Sequence, residues 1–477
     1  MSLKPMDFVY LIAGVAALTW GAVYALRGSL VAGCLALLVI AACFGHDFAN
    51  FHLGPVALTL DRIMLVLLGV AYVVQHRLGR TEPKRLGRVD LLLLAFLGVL
   101  VASGCYGGWA GNQSGQGGDG EPLFRLIVGY MIPFGVYWIA RQSPLRRANV
   151  SCVYIALTAL GVYLAVTALL EITGQWWAVF PKHIADPNVG RHFGRARGPM
   201  VHSVHFGMCL SVCLLAAWTW RRQLGRVGQL AIIALVPLML AAIYFSYTRS
   251  VWMGAGLAVM VVLGLTLRGV WRPLVLGSMV SASVLLAATR MDELKSFQRE
   301  YSAAETGSSV DLRSSFAYIS WKMFLDRPLC GVGFGQFPQA KLPYLSDRST
   351  SLRLEETRRF VHHNGFLSVL TETGLIGMTL YLAVLIAWGR SAWQLLRDTD
   401  LPDWMRSQGI LMLAVLATYI CQAAFHELSY SSIENGLLFF MAGITTGLRG
   451  ATQPAANAAG AAAVKMPAIG LRRAGAT

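Results

Sequence analysis

Long apolar runs separated by short polar connections recur along nearly the whole chain. Most of these runs approach the 17–25 residues that a helix needs to cross a lipid bilayer. Twelve or thirteen membrane spans are predicted, because only a few residues join the first two runs. The predicted spans are 8–25, 29–44, 57–75, 90–104, 123–140, 150–171, 200–220, 229–245, 250–267, 272–288, 363–389, 407–424 and 433–448.

The composition of the 477 residues excludes a soluble globular protein. Hydrophobic residues make up 56% of the chain and charged residues only 13%, whereas soluble proteins carry about 25% charged residues. The sequence therefore predicts an all-α polytopic membrane protein.

The net charge of +16 is explained by membrane topology rather than by nucleic-acid binding. Alternate connections between the spans are basic, namely 77–88, 141–147, 221–226, 268–272 and 390–406. The short connections between them, at 46–55, 104–120 and 426–435, contain no Lys or Arg. The positive-inside rule places the basic set in the cytoplasm. Residues 172–199, 246–249 and one large loop at about 289–362 then lie on the outer face.

The chain divides into three predicted regions. Residues 1–180 hold amino-terminal spans, 181–449 form a second membrane region that includes the large loop, and 450–477, rich in Ala and Gly, form a disordered cytoplasmic tail. Within the large loop, 311–326 is predicted to form a surface helix, since apolar residues recur near helical spacing. These residues are Phe316, Ile319, Met323 and Phe324.

Ionisable residues concentrate in three stretches on the predicted outer face. These are "RHFGRARGPMVHSVHFG" (191–207), "SYTRSVWMG" (246–254) and "HHNGFLSVLTETGLIG" (362–377). Ionisable groups at membrane depth are costly, and they are usually functional or tightly paired. We therefore expect a functional site where these stretches meet.

The third stretch predicts a helix that enters the membrane near His363. One face of it would carry His363, Leu367, Leu370, Gly374, Gly377 and Tyr381. Glu372 would point to the other side and need a buried partner of its own. Free N–H groups at the helix start would attract an anion such as a diphosphate and keep a nearby imidazole neutral. A neutral imidazole can accept a proton.

Simpler interpretations exist for several of these side chains. His362 is interpreted as an interfacial anchor, because histidine at a membrane surface commonly has that role. Arg125 is four residues from Glu121 and would pair with it.

The motifs resemble the O-antigen ligase and polymerase superfamily of bacterial inner membranes. His363 and Asn364 are followed by nine residues and Gly374, and then by Gly377 after two more. "RARGPMVHSVHFG", "SYTRSVWMGA" and "RSSFAYISWKMFLDRPLCGVGFGQF" are similar to the family's Arg-x-x-Gly stretch, its T-R-S turn and its large periplasmic segment. The likeness runs from about 190 to 385.

The resemblance implies an inverting, metal-independent glycosyltransferase of the GT-C type without a cofactor. Its donor would be a glycan on undecaprenyl diphosphate, and the acceptor another glycan, a lipid A core or a protein. It implies a multi-pass inner-membrane protein active at the periplasmic face in lipopolysaccharide or exopolysaccharide biosynthesis, with membrane lipids and polysaccharide-assembly proteins as partners. His363 corresponds to the family's essential histidine and Asn364 to its neighbour, while Arg197, Arg249 and Arg313 correspond to diphosphate-binding arginines.

Two questions stay open at this stage. The additional His362, His202 and His205 leave the choice of catalytic base among four histidines, with Glu372 a secondary candidate. The activity is either polymerisation or ligation; the alternative from another class is a lipid-linked oligosaccharide flippase or polysaccharide export transporter. A transporter would be expected to have charged residues lining the middle of the membrane, whereas the arginines of this sequence cluster at one face.

Overall fold

The chain folds into a bundle of long helices. The computed structural model describes residues 19–45, 48, 50–53, 56–109, 122–296, 303–358 and 360–464. We number the long helices in chain order as α1 (Leu30–Cys43), α2 (Leu60–Arg77), α3 (Arg88–Gly107), α4 (Pro122–Gln142), α5 (Arg147–Ile172), α6 (Ser203–Trp220), α7 (Arg226–Phe245), α8 (Arg249–Thr266), α9 (Trp271–Ser296), α10 (Ala303–Asp326), α11 (Gly365–Arg397), α12 (Asp403–Ala423) and α13 (Ser432–Val464).

Short elements complete the described chain. Residues 19–27 are helical, and α4 contains a π-helical turn at Ile127–Met131. An antiparallel hairpin joins β1 (Asn50–Leu53) to β2 (Val56–Thr59). Single helical turns lie at Lys182–Ala185, Gly198–Met200, Arg221–Gln223, Phe337–Ala340, Leu342–Ser346 and Leu354–Thr357.

The predicted spans correspond to helices. Eight helices within the described residues are long and apolar enough to cross a membrane, namely α3 to α8, α11 and α12. The spans predicted at 29–44, 57–75, 272–288 and 433–448 are helical too, in α1, α2, α9 and α13. Of the span at 8–25, only 19–25 is described. The all-α polytopic fold class is confirmed, and the total of twelve or thirteen spans stays a prediction.

The site end of the bundle is the end at which α6, α8, α11 and α13 begin. Farther along the bundle, α4 and α13 approach backbone to backbone, because a methyl group on Gly443 would lie 2.5 Å from the Tyr137 carbonyl oxygen. Small residues at helix contacts allow this closeness within a membrane. Nearer the site end, the Asn435 side chain donates to the Gly129 carbonyl at 2.6 Å. The start of α13 is thereby fixed beside the start of α4.

The outer segment, residues 303–358, has a hydrophobic core of its own. The helix predicted at 311–326 is confirmed as part of α10, and three of its four predicted apolar side chains are buried while Phe324 is half-buried. They pack on the turns that follow, in a cluster made of Phe316, Ile319, Met323, Phe337, Leu345 and Leu354. The segment is therefore a folded cap rather than a linker.

A glycine-rich turn after α10 fills a break inside α11. Gly374 has φ +64° and ψ −162°, which interrupts the helix. The turn supplies partners for the freed backbone groups: the N–H groups of Val332 and Gly333 donate to the carbonyls of Thr371 and Glu372, both at 3.0 Å, and the Leu375 N–H donates to Pro328 at 2.8 Å. Broken backbone within a membrane bundle requires such partners.

The last helix is longer than the apolar pattern indicates. Composition predicts disorder from residue 450 onwards, but α13 continues to Val464. Residues 465–477 lie outside the described residues.

Replacing Gly374 by Ala should destabilise the protein strongly. Its dihedral angles fall where essentially only glycine is found, at a cost of about 1–3 kcal/mol for other residues. An added methyl group would also lie 2.2 Å from the Leu329 carbonyl oxygen. We expect a clear fall in the melting temperature of the detergent-purified variant. The control is Gly389→Ala in the same helix, whose methyl group meets only Leu416 at 3.7 Å; equal melting temperatures for both variants would contradict the account.

Candidate functional site

The start of α11 is tied to the turn between α12 and α13. Asn364 is the helix cap: its side-chain oxygen accepts the Leu367 N–H at 2.9 Å and its amide donates to the Ala424 carbonyl at 2.8 Å. The Gly365 N–H donates to the His426 carbonyl at 3.1 Å. The helix thus begins at Gly365, and His363 precedes it. The prediction that His363 continues one helical face through Gly374 is wrong, because His363 is outside the helix and Gly374 interrupts it.

His363 is half-buried beneath the outer segment. Its ring packs edge-to-face on Phe316, with 5.2 Å between ring centroids. Burial and the positive charges of Arg313, Arg191 and Lys341 lower the pKa of His363 to about 4. The imidazole is therefore neutral at neutral pH, as the sequence predicted, but the causes are burial and neighbouring cations.

His362 belongs to the core of the outer segment. Its side chain is 3% exposed, and its ring centroid lies 3.5 Å from that of Phe337. Neither ring nitrogen has a hydrogen-bond partner among the described residues. Burial, Arg125 and Lys341 lower the pKa of His362 well below its usual value. The interpretation of His362 as an interfacial anchor is wrong, because the outer segment covers it.

Two of the three predicted arginines meet at one cavity. The cavity has a volume of about 200 Å³. Arg249 is the first residue of α8, and Arg313 comes from α10 with its guanidinium 5.7 Å from the Phe425 ring centroid. Among the described residues, the cavity is lined by Thr248, Arg249, Ser250, Met253, Arg313, Phe425 and His426, none of which is a carboxylate. Its chemistry suits an anion.

Arg197, the third predicted arginine, is bound to the loop that precedes it. Its Nη1 donates to the Val189 carbonyl at 2.6 Å, and Nη2 donates to those of Ile184 and Asp186 at 2.9 and 2.6 Å. The side chain is buried and does not line the cavity. In this structure Arg197 shapes the loop rather than presenting its charge to a ligand.

His426 is a site residue that the sequence analysis missed. It lines the cavity, and its Nε2 lies 2.8 Å from the Ser250 hydroxyl oxygen. Burial, then Arg313 and His363, lowers its pKa well below the usual value. The connection 426–435 carried a signal, since it holds one histidine and two glutamates between apolar spans.

The secondary candidates His202 and His205 have their rings in contact beside this site. The ring centroids of His202 and His205 are 4.1 Å apart, and His192 lies 4.9 Å from His202. Burial and the neighbouring histidines lower the pKa of His202 well below its usual value. His205 Nδ1 hydrogen-bonds Glu434 Oε1 in the first turn of α13. Glu434 is a second residue that the sequence analysis missed.

Glu372 has the buried partner that the sequence called for, and this partner is Arg125 of α4. The Arg125 Nη1 donates to both carboxylate oxygens at 2.8 and 2.7 Å. Both side chains are almost fully buried, at 2% and 1% exposure. Glu121, the partner first expected for Arg125, lies outside the described residues.

The same guanidinium also holds the turn that carries His426. Glu427 is 3.4 Å from Nη2 of Arg125, and the guanidinium lies over the rings of Phe334 and Tyr430. Arg125 therefore joins α4, α11, the glycine-rich turn and the 424–431 turn. It positions two sides of the cavity without lining it.

The comparisons with known proteins agree with the sequence resemblance. Residues 234–382 match the family model described as O-antigen ligase. The matched range contains Arg249, Arg313, His363 and Gly374 but neither Arg125 nor the turn at 424–431. No curated protein matches the chain.

Removing the Arg125 side chain should destabilise the protein more than neutralising Glu372. Arg125→Ala leaves two buried carboxylates without their cation, and breaking a buried pair costs about 3–5 kcal/mol. Glu372→Gln leaves Arg125 paired with Glu427 and should cost less. Melting temperatures in detergent compare the stabilities of the two variants. Arg353→Ala is the control, because the ion pair of Arg353 with Glu356 is exposed. A more stable Arg125→Ala than Glu372→Gln would contradict this role.

Proposed function

Because residues 234–382 belong to the O-antigen ligase family, we propose that this multi-pass membrane protein transfers a glycan from undecaprenyl diphosphate to an acceptor hydroxyl. The family assignment supports a glycan-transferring enzyme with a lipid-linked substrate. The observation that carries the proposal is the cavity lined by Arg249, Arg313 and His426. His363 lies close enough to Arg313 and His426 to interact with them electrostatically.

The two arginines supply the charge that a diphosphate leaving group needs. Guanidinium groups bind phosphate oxygens through paired hydrogen bonds. Arg249 also lies at the start of α8, where backbone N–H groups and the helix dipole favour an anion. Developing negative charge on the departing diphosphate is therefore met by fixed positive charge.

His363 is the proposed catalytic histidine at the reacting end of the donor. Its imidazole is neutral, so it adds a hydrogen-bonding group without a further positive charge. In the proposed reaction, an acceptor oxygen bonds to the anomeric carbon while the bond from that carbon to the phosphate oxygen breaks. Attack from the face opposite the leaving group inverts the anomeric configuration.

The proposed setting is the bacterial inner membrane, with the site end at the periplasmic face. The positive-inside pattern supports this orientation, because basic connections such as 221–226, 268–272 and 390–406 join helices at the opposite end. The region 181–449 would carry the reacting groups, and the amino-terminal spans contribute Arg125 to their support. Polymerisation and ligation share this donor chemistry.

A flippase or export transporter is less well supported. Such a protein needs charged groups along a path through the middle of the membrane. Here the buried Arg125 is bound to Glu372 and Glu427, and the arginines of the cavity lie at one end of the bundle.

His363→Ala should lower transfer about a hundredfold or more, the usual size of a lost catalytic side chain. Purified protein with a lipid-linked donor provides the assay. With a pKa of about 4 for His363, its protonation should cause no loss of wild-type activity between pH 6 and 8. His362→Ala should instead lower the melting temperature, since it removes a ring from the outer core. Full activity of His363→Ala would exclude His363 from catalysis.

Arg249→Ala and Arg313→Ala should each reduce kcat/KM about 10- to 100-fold, because a hydrogen bond to a charged group contributes about 1.5–3 kcal/mol. Arg249→Lys should retain part of the activity, since it keeps the charge but loses the planar fork. Arg348→Ala, exposed on the outer segment, is the matched control. Unchanged kcat/KM in both Ala variants would refute the diphosphate site.

A further inference from the structure

His205 and Glu434 form an imidazole–carboxylate pair at the site end. His205 Nδ1 bonds Glu434 Oε1. Glu434 is fully buried, whereas the His205 side chain is 23% exposed. Among the described residues, no protein group is hydrogen-bonded to the other ring nitrogen, Nε2. A carboxylate on Nδ1 fixes the tautomer in which Nε2 carries the free lone pair.

The pair lies close to the proposed reacting groups. The His205 ring contacts the tilted ring of His202, and His205 acts electrostatically on His426, which lines the cavity. His205 is in the first turn of α6, and Glu434 is in the first turn of α13, so both belong to the site end. Both lie outside the range that matches the family model, 234–382.

The environments of His205 and His363 differ in the sign of the nearest charges. His363 faces Arg313, Arg191 and Lys341, which oppose a positive imidazolium. His205 contacts a buried carboxylate, which stabilises one. A proton taken from an acceptor hydroxyl by His205 would therefore be placed against a carboxylate, whereas at His363 it would be placed among cations.

We propose that His205 is the general base that deprotonates the acceptor hydroxyl, and that Glu434 is its positioning residue. This inference rests on the proposed function. The hydroxyl proton moves to Nε2 of His205, the freed oxygen bonds to the anomeric carbon, and the bond from that carbon to the diphosphate breaks with its electron pair on the diphosphate. The imidazolium is paired with the Glu434 carboxylate. His363 provides a neutral hydrogen-bonding group next to the diphosphate.

The test uses substitutions that remove the proposed base and leave the folding of the protein unchanged. His205→Asn keeps an amide donor where Nδ1 stands but lacks the base at Nε2. We expect kcat to fall about a hundredfold or more, with the KM for the lipid-linked donor and the melting temperature unchanged. Glu434→Gln keeps a hydrogen bond but loses the charge, and should reduce kcat by a smaller factor. His76→Ala, an exposed histidine on α2, should behave as wild type.

Chemical rescue provides a readout that a purely structural role would not produce. In His205→Gly, added imidazole should restore part of the lost kcat, since the native ring is partly exposed. Wild-type kcat in His205→Asn, or a loss in His205→Gly that imidazole does not reverse, would overturn the assignment. A wild-type protein that transfers no glycan would overturn the proposed function itself.

Discussion

The broken backbone at Gly374 is the constraint on which the rest of the site depends. A helix interrupted inside an apolar bundle leaves N–H and carbonyl groups that water cannot reach, and each unsatisfied group costs several kcal/mol. The glycine-rich turn from Pro328 to Gly335 supplies the missing partners. The outer segment is thereby attached to α11 through its backbone, and its core covers His362 and flanks His363. Arg125 secures the same junction from the other side, through Glu372 and Phe334.

The junction and the cavity are two different electrostatic environments. At the junction, Arg125 is bound to Glu372 and Glu427 and is almost fully buried. The cavity is lined by Arg249 and Arg313, and none of the described residues in its wall is a carboxylate. Positive charge held in place before a substrate arrives stabilises an anionic leaving group without further reorganisation. Burial, then the positive charges of Arg313, Arg191 and Lys341, keeps His363 neutral, whereas His205, the proposed base, contacts the carboxylate of Glu434.

The sequence predicts the helices well because span length and hydrophobicity are local properties. It also predicts that Glu372 needs a buried partner, but it cannot identify Arg125, which is 247 residues away along the chain. The sequence analysis placed the start of α11 near His363, whereas Asn364, a favoured helix-cap residue, caps the helix and α11 begins at Gly365. The role of Arg197 could not be foreseen, since its ligands are backbone carbonyls whose position depends on the loop conformation. His426 and Glu434 were within reach, as polar residues in a short connection between apolar spans.

The central claim is that Arg249 and Arg313 hold a lipid diphosphate beside His363. A cryo-electron microscopy structure of the full-length protein with undecaprenyl diphosphate in lipid nanodiscs tests it most directly. The account predicts density for two phosphates within hydrogen-bonding distance of both guanidinium groups, with the terminal phosphate nearest His363 and the polyprenyl chain leaving toward the lipid. Diphosphate density elsewhere on the protein, with the cavity between Arg249 and Arg313 free of it, would contradict the account.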